Sequence, residues 1–426
     1  MIDISGKRLL IISNNPLSNT NANGKTILSY FDTVPRDQIR QLYFRDEKPT
    51  VEGIQYFRIS DNDVIKGIFA SKRRGSAVPA EKSSMSTSSS PSTVKKNDTT
   101  RLLREILWWR KWKSEALINW LDEFSPTAVF FVAGDSGFSY DICMFVVERY
   151  NARLSVYITD DYIMPRNKES LMFTIRRSLI KSKMKDSVAK ADSFFTISNI
   201  MRSEYRKIFG IDSNIVVNMP DKIRQDSRRE LRKEYLFVYA GALNYGRYES
   251  LHLIANAIKE FNSNHSDKQA ILKIFTNRYP SQDILQKVCI EGASEYGGSL
   301  NRSELNKMLN DADVLVFVES FEDDQIEKTR FSLSTKVPEY LSAGKPIFAI
   351  GPAGIGSMDY LSDVSICCYH KEEIYTKLEN LLNSEQMRLE LAQKAYKKYK
   401  MYHDKAIIQE PFVAEVFGVD IKENEL

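Results

Sequence analysis

Arg247 and Lys336 each sit beside chain punctuation suited to holding an anion. Lys336 lies in Ser332-Leu333-Ser334-Thr335-Lys336-Val337-Pro338-Glu339-Tyr340-Leu341-Ser342-Ala343-Gly344-Lys345-Pro346, which reads as a short helix. Ser334 or Thr335 can cap its start, and Pro338 falls in the first turn, where a missing N–H costs little. Gly344 suits the left-handed position after the last turn, and Pro346 blocks continuation. A helix start offers unpaired N–H groups and a positive dipole end, so it attracts phosphate, and Lys336 adds a charge there. Glu339 sits about one turn further in. A carboxylate so close to a phosphate site is useful when it accepts hydrogen bonds from hydroxyls, such as the pair on a ribose. An ordinary capped helix with Lys336 and Glu339 solvated is the competing reading. Arg247 ends a second turn, Gly241-Ala242-Leu243-Asn244-Tyr245-Gly246, where Gly241 permits close backbone approach and the guanidinium can fork onto phosphate oxygens. A surface arginine is the alternative. Asp160-Asp161 and Asp135 follow apolar runs. Such carboxylates can bind a metal, act as a base, or cap the next helix, the commonest fate.

The elements that must position these residues are legible as apolar runs. Residues 7–14, 41–44, 55–59, 128–133, 153–159, 193–198 and 215–218 read as strands, with helices between several of them. Strands alternating with helices, each strand ending in polar residues, indicate a parallel sheet covered on both faces. A second series runs through 235–240, 272–275, 294–298, 314–318 and 346–350, so Gly241 and the helix at Lys336 fall at the carboxyl edge of one sheet, where such sheets bind ligands. The fold class is α/β: two doubly wound, Rossmann-like domains facing a cleft. The expected boundaries are 1–222 for the first domain, with residues 74–100 as a disordered insert, and 223–405 for the second. Residues 406–426 would cross back to the first. The insert is expected because its Ser-rich composition cannot bury enough apolar area to offset ordering entropy. The loop 15–24, holding Asn23 and Gly24, reads as polar and flexible. Gly24-Lys25-Thr26 matches only the end of a P-loop, since the upstream glycine is missing.

Composition narrows the classes. The chain has 426 residues, 42% of them hydrophobic and 27% charged, as in a globular protein with a sizeable core. A net charge of +4 argues against bulk nucleic-acid binding. Four cysteines without metal or framework spacing fit a reduced, cytoplasmic chain. Residues 1–7 lack the form of a signal peptide, and no apolar run reaches the roughly eighteen residues of a membrane span. The basic stretch 101–113 carries three tryptophans and reads as a helix. It could lie on an anionic membrane, giving peripheral contact at the inner face. It could also face the core with its cations in water, which the apolar residues continuing through Leu117, Trp120 and Leu121 favour.

Taken together, these residues resemble a known family. Thr335 through Pro346 is similar to the donor-site helix of GT-B glycosyltransferases of the family 4 type. Ala240-Gly241-Ala242 through Arg247 resembles that family's glycine turn with its phosphate-binding cation. Gly298-Ser299-Leu300 with Leu305, Leu309 and Ala312-Asp313-Val314 resembles the segment before the donor helix, and Phe195-Thr196-Ile197-Ser198 with Asn218-Met219-Pro220 the end of the first domain. The match spans nearly all of the chain outside 74–100 and is strongest from 235 to 351. It implies a nucleotide-sugar donor in the second domain, a glycan or lipid-linked acceptor in the first, retention of anomeric configuration, and no cofactor or essential metal beside the donor, a UDP-sugar foremost. Surface polysaccharide or glycoconjugate synthesis is the implied setting. On that analogy Arg247 and Lys336 hold the diphosphate and Glu339 the ribose, with Gly241, Ala242, Asn244, Ser334 and Thr335 lining the donor site. Asn23, Gly24, Asp135 and Asp161 would border the sugar or acceptor. Two positions depart from the pattern. Phe331 stands where a second glutamate is common, and the first-domain histidine is replaced, with Asp160 as the candidate substitute. A non-catalytic partner subunit that binds nucleotide, and a sugar-nucleotide epimerase, are the alternative functions.

Overall fold

The computed structural model describes residues 2–19, 22–69, 75–80, 98–109, 111–224 and 234–421. It divides into two units, one over Met1–Ile197, Arg202–Val216 and Gln409–Leu426, the other over Ser198–Met201 and Val217–Ile408. Each is built on one sheet.

In the first unit the strands are β1 (Leu9–Ser13), β2 (Ile39–Tyr43), β3 (Gln55–Arg58), β4 (Ser76–Val78), β5 (Ala128–Ala133), β6 (Arg153–Ile158), β7 (Ser193–Thr196) and β8 (Asn214–Ile215). Their order is β4-β3-β2-β1-β5-β6-β7-β8, parallel except where β4 pairs antiparallel with β3. The second unit has β9 (Glu234–Ala240), β10 (Gln269–Phe275), β11 (Ser294–Gly298), β12 (Val314–Val318), β13 (Ile347–Ile350) and β14 (Ile366–Cys368). They lie in the order β11-β10-β9-β12-β13-β14, all parallel. In both sheets the strand order reverses beside the first strand, between β1 and β5 and between β9 and β12, the doubly wound arrangement expected. Strands covered on both faces must be apolar throughout, and β1, β12 and β13 are buried at every residue.

Two local expectations change, and the basic tryptophan stretch divides between core and surface. Within the supposed insert 74–100, residues 76–78 form β4, and the helix Asp98–Trp108 begins before residue 100. An edge strand needs backbone partners rather than a buried face, so a polar composition does not exclude it. Residues 81–97 lie outside the described residues. The loop at 15–24 is shorter than expected, because the helix Ala22–Tyr30 already includes Asn23 and Gly24. A first turn tolerates such residues, since its N–H groups have no partner within the helix. Of the basic tryptophan stretch, Trp108 and Trp112 are buried while Trp109 is exposed. The Trp108 ring stacks on Phe138 with centroids 3.7 Å apart, and its Nε1 donates to Asp61 at 2.8 Å.

The last helix, Lys405–Phe417, passes from the second unit into the first at Gln409. Gln409 Nε2 donates to the Ser29 carbonyl at 2.9 Å, and the Phe412 ring packs against Tyr30, Phe31, Phe130 and Phe195.

Adjacent tryptophans thus have opposite environments. Trp108→Ala is expected to destabilise the protein by about 3–5 kcal/mol, and Trp109→Ala by clearly less, both measured by denaturant unfolding.

Candidate functional site in the second sheet

The side chains gather where β9 and β12 part. β9 ends in Tyr239-Ala240, and the chain turns through Gly241 with Tyr245 and Gly246 at positive φ (57° and 69°). That turn delivers Arg247 as the first residue of the helix Arg247–Asn264. β12 ends at Val318, and the next residue is Glu319, buried to 2% exposure. Arg247 Nη2 reaches both carboxylate oxygens of Glu319 at 3.1 Å, and its Nε lies 3.3 Å from Oε2. Burial alone would lower the guanidinium pKa, but the Glu319 charge and hydrogen bonds hold it above its ordinary value. The Glu319 carbonyl accepts from Ser250 Oγ at 2.7 Å, which ties the arginine's helix to the same strand end.

Lys336 begins the helix Lys336–Ala343. Its amine is not on the surface of that helix start but folded back along β9. Nζ donates to Tyr239 Oη at 3.1 Å and lies 4.4 Å above the Tyr239 ring. A Cβ added at Gly241 would come within 2.8 Å of Lys336 Cδ and Cε, so the glycine makes room for the lysine itself. Tyr239 Oη donates in turn to the Ala242 carbonyl at 2.6 Å. Tyr340, one helical turn beyond Lys336, accepts from the Ala240 N–H at 3.1 Å through its hydroxyl. Two tyrosines therefore fasten the glycine turn and the helix start to each other. Desolvation first, and the nearby positive charge of Arg247 second, lower the Lys336 pKa to about 7, against the weaker opposing pull of Glu319 and Glu339. The site holds two cations and one buried carboxylate that pairs with only one of them. An anion placed there would favour the charged amine.

Glu339 is partly buried one turn along, and Arg302 Nη1 donates to its Oε1. Arg302 is set by a capping box, Asn301 with Glu304, at the start of the helix Arg302–Asp311. Thr335 occupies the cap position of the Lys336 helix without a side-chain cap bond, and its carbonyl accepts from Asn218 Nδ2 at 3.0 Å. The Ser334 N–H donates to Ser357 Oγ at 3.0 Å. The side-chain cap expected from Ser334 or Thr335 is thus replaced by tertiary contacts. Asn244 is exposed in the turn. Phe331, the departure from the family pattern, is buried, and its carbonyl accepts from Ser198 Oγ at 2.7 Å.

The first unit's carboxylates divide by partner. Asp135 Oδ2 accepts from Arg101 at 3.0 Å and from Arg176 at 3.1 Å, so it is a structural ion-pair centre. Asp161 Oδ1 accepts from the N–H groups of Ile163 and Met164 and from Tyr205 Oη, which makes it a loop cap. Asp160 differs. It makes a bond to the Asp161 N–H, and desolvation pushes its pKa up, with the charges of Asp161 and Asp135 adding to the effect. Asn23 and Gly24, in the first turn of their helix, are exposed and buried respectively.

Gly241, Arg247, Lys336 and Glu339, singled out by their local sequence, lie together at this strand end, and Glu319 and Arg302, outside those local patterns, join them. A carboxylate immediately after five apolar residues, at the edge where Gly241 also lies, was the available signal for Glu319.

The fold, two parallel-dominant α/β sheets in two Rossmann-like units, is the architecture of GT-B glycosyltransferase structures. Residues 254–407, all within the second unit, match the family model described as glycosyl transferase-like. Among solved structures, the chain is similar to the E. coli trehalose-6-phosphate structure bound with UDP-2-fluoro glucose (TM-score 0.61, 11% identity, covering 97% of this chain and 100% of that one). It is similar to Anabaena Alr3699/HepE in complex with UDP (0.61, 10%, 96% and 99%). It also resembles the α,α-trehalose 6-phosphate synthase of Burkholderia multivorans (0.59, 10%, 97% and 96%). No curated protein matches the chain.

Lys336 gives a pH signature. Between about 7 and about 10.4 the unfolded chain keeps a proton that folded Lys336 has released, so this group makes stability rise with pH across that window. Lys336→Met is expected to flatten the rise, read as the melting temperature across that pH range. Arg247→Ala would leave Glu319 buried without its cation, at a cost of about 3–5 kcal/mol. The double variant Arg247→Met/Glu319→Gln should recover most of that loss in the same assay.

Proposed function

We propose that the protein transfers a sugar from a nucleoside diphosphate donor, a UDP-sugar foremost, to a glycan or lipid-linked acceptor. The observation that carries the reading is the convergence of Lys336 and Arg247 at the switch point of the second sheet, with only one carboxylate between them. A diphosphate supplies the missing negative charge. The start of the Lys336 helix offers backbone N–H groups to the same oxygens, while the Gly241 N–H is held by the Phe275 carbonyl at 2.9 Å. Glu339 accepts from the ribose hydroxyls through the oxygen that Arg302 leaves available. As the donor bond breaks, charge grows on the departing diphosphate, and a preorganised pair of cations stabilises it without reorganisation. Ala242, Asn244, Ser334 and Thr335 border the nucleotide. In the first unit, Asp160 is the carboxylate assigned to the acceptor hydroxyl, with Asn23 and Gly24 near the sugar. Asp135 and Asp161 are set aside because their oxygens already serve as ion-pair and cap acceptors. The acceptor chemistry fits surface polysaccharide or glycoconjugate synthesis on the cytoplasmic side, with retention of configuration. Related architectures support the donor class: one neighbour is bound to UDP and another to UDP-2-fluoro glucose.

A second reading keeps the nucleotide site but omits transfer, and the buried phenyl ring of Phe331 favours it, since no carboxylate stands there for the sugar. Incubating purified protein with a panel of UDP-sugars and lipid-linked acceptors separates the two. UDP binding with no product from any pair would establish the second.

Charge-assisted hydrogen bonds contribute roughly 1.5–3 kcal/mol each, so Lys336→Ala should lower turnover by about ten- to a hundredfold. Unchanged turnover would remove Lys336 from the site. Glu339→Gln should weaken UDP binding in calorimetry. UDP affinity of the wild type should also fall as pH rises above about 7, because binding then requires protonation of Lys336.

A further inference from the structure

Two neighbouring helices of the first unit, Asp98–Trp108 and Leu171–Ala189, share an outer face that is apolar where water should be. They run side by side in the same direction. Ser170, capping the second, donates to Asp98 at the start of the first. One turn on, Arg101 and Arg176 meet on Asp135. Further along, Glu105 and Lys183 both flank Gly137. Those residues mark the inward seam. On the first helix, Leu103 (58% exposed) and Ile106 (64%) lie away from the seam defined by Arg101, Glu105 and Trp108, and the Trp109 ring (68%) follows just past the helix end. On the second, Leu171 (70%) and Ile175 (45%) lie away from Arg176, Ile180 and Met184. Helical spacing puts both exposed sets on the solvent side, one helix diameter apart. Scattered surface apolar residues need no explanation, but five large ones on adjacent helices do.

The charge around this face selects its occupant. Lys168, Lys181 and Lys185 are exposed on the Leu171–Ala189 helix and its approach. Of the nearby acids, Glu169 is already paired with Arg177, and Asp186 is the exposed carboxylate of that helix. Over residues 164–189 there are seven Lys and Arg (Arg166, Lys168, Arg176, Arg177, Lys181, Lys183, Lys185) against two acids, Glu169 and Asp186. An apolar stripe bordered by lysines matches a layer whose core is hydrocarbon and whose surface is anionic. A tryptophan at the edge of such a stripe suits the headgroup level.

We propose that this two-helix face docks the protein on an anionic lipid surface, with Leu103, Ile106, Trp109, Leu171 and Ile175 entering the headgroup layer and the lysines meeting lipid phosphates. The contact is peripheral, since among the described residues no helix is long and apolar enough to cross a membrane. It is independent of the donor site and stands whether or not the sugar transfer reading holds.

The test is vesicle flotation of the full chain with phosphatidylcholine alone and with equal parts phosphatidylcholine and phosphatidylglycerol, at low and high salt. The protein should float with the anionic vesicles, lose most of that binding at high salt, and remain behind with neutral ones. Leu103→Ser/Ile106→Ser should reduce binding at least tenfold while leaving the melting temperature and UDP affinity unchanged. Lys168→Ala/Lys181→Ala/Lys185→Ala should reduce it by a similar factor and remove the preference for phosphatidylglycerol. Tryptophan emission should shift to the blue on adding anionic vesicles, and Trp109→Phe should abolish the shift, since Trp108, Trp112 and Trp120 are already buried. Absence of flotation, equal binding to both vesicles, or undiminished binding by the variants overturns the proposal. Self-association that the Leu103/Ile106 variant dissolves, without vesicle binding, would overturn it too and assign the face to a second copy of the chain.

Discussion

Arg247 and Lys336 carry like charge at one strand end, and Glu319 answers only the first. That imbalance sets the electrostatics of this strand end. Two isolated cations would repel each other in a partly desolvated setting. A carboxylate for each would leave nothing for an anion to do. With one buried carboxylate the arginine is fixed and satisfied, and the amine is left poised between its two protonation states. Negative charge brought beside the amine would favour its protonated form.

The sheet explains why these groups meet at all. β9 and β12 are adjacent, yet the chain between them travels out through β10 and β11 before returning. Residues after adjacent strands whose connections leave in opposite directions face a gap that no connection covers. Gly241 lacks a side chain because the lysine stem occupies that volume, and Tyr239 and Tyr340 lock the turn and the helix start in register. The aromatic residue that ends one element thereby orients the Lys336 amine at the start of another.

How much of this could be read from the chain follows from which contacts are local. Parallel strands buried on both faces must be apolar runs, so β1, β5, β9, β12 and β13 are visible in the sequence. β4, a three-residue edge strand in a polar stretch, is not, and neither is β14, whose Ile366-Cys367-Cys368 is too short to show a pattern. The glycine turn and the helix punctuation around Lys336 are local signals and were legible. The Arg247–Glu319 pair joins residues 72 positions apart, and Arg302–Glu339 joins residues 37 apart, so no spacing rule reaches them. Asp135 and Asp161 show the reverse difficulty. A carboxylate after a strand looks the same in sequence whether it meets a substrate, two arginines or a pair of backbone N–H groups.

The route of the last helix has a consequence for how the chain acquires its structure. Phe412 completes an aromatic cluster with Tyr30, Phe31, Phe130 and Phe195, residues made long before it. During synthesis the opening half must therefore wait, its core short of a ring, until residue 412 has been made, while the later half already has every strand of its own sheet. Birth order and completion order are inverted: the part translated first is the part sealed last.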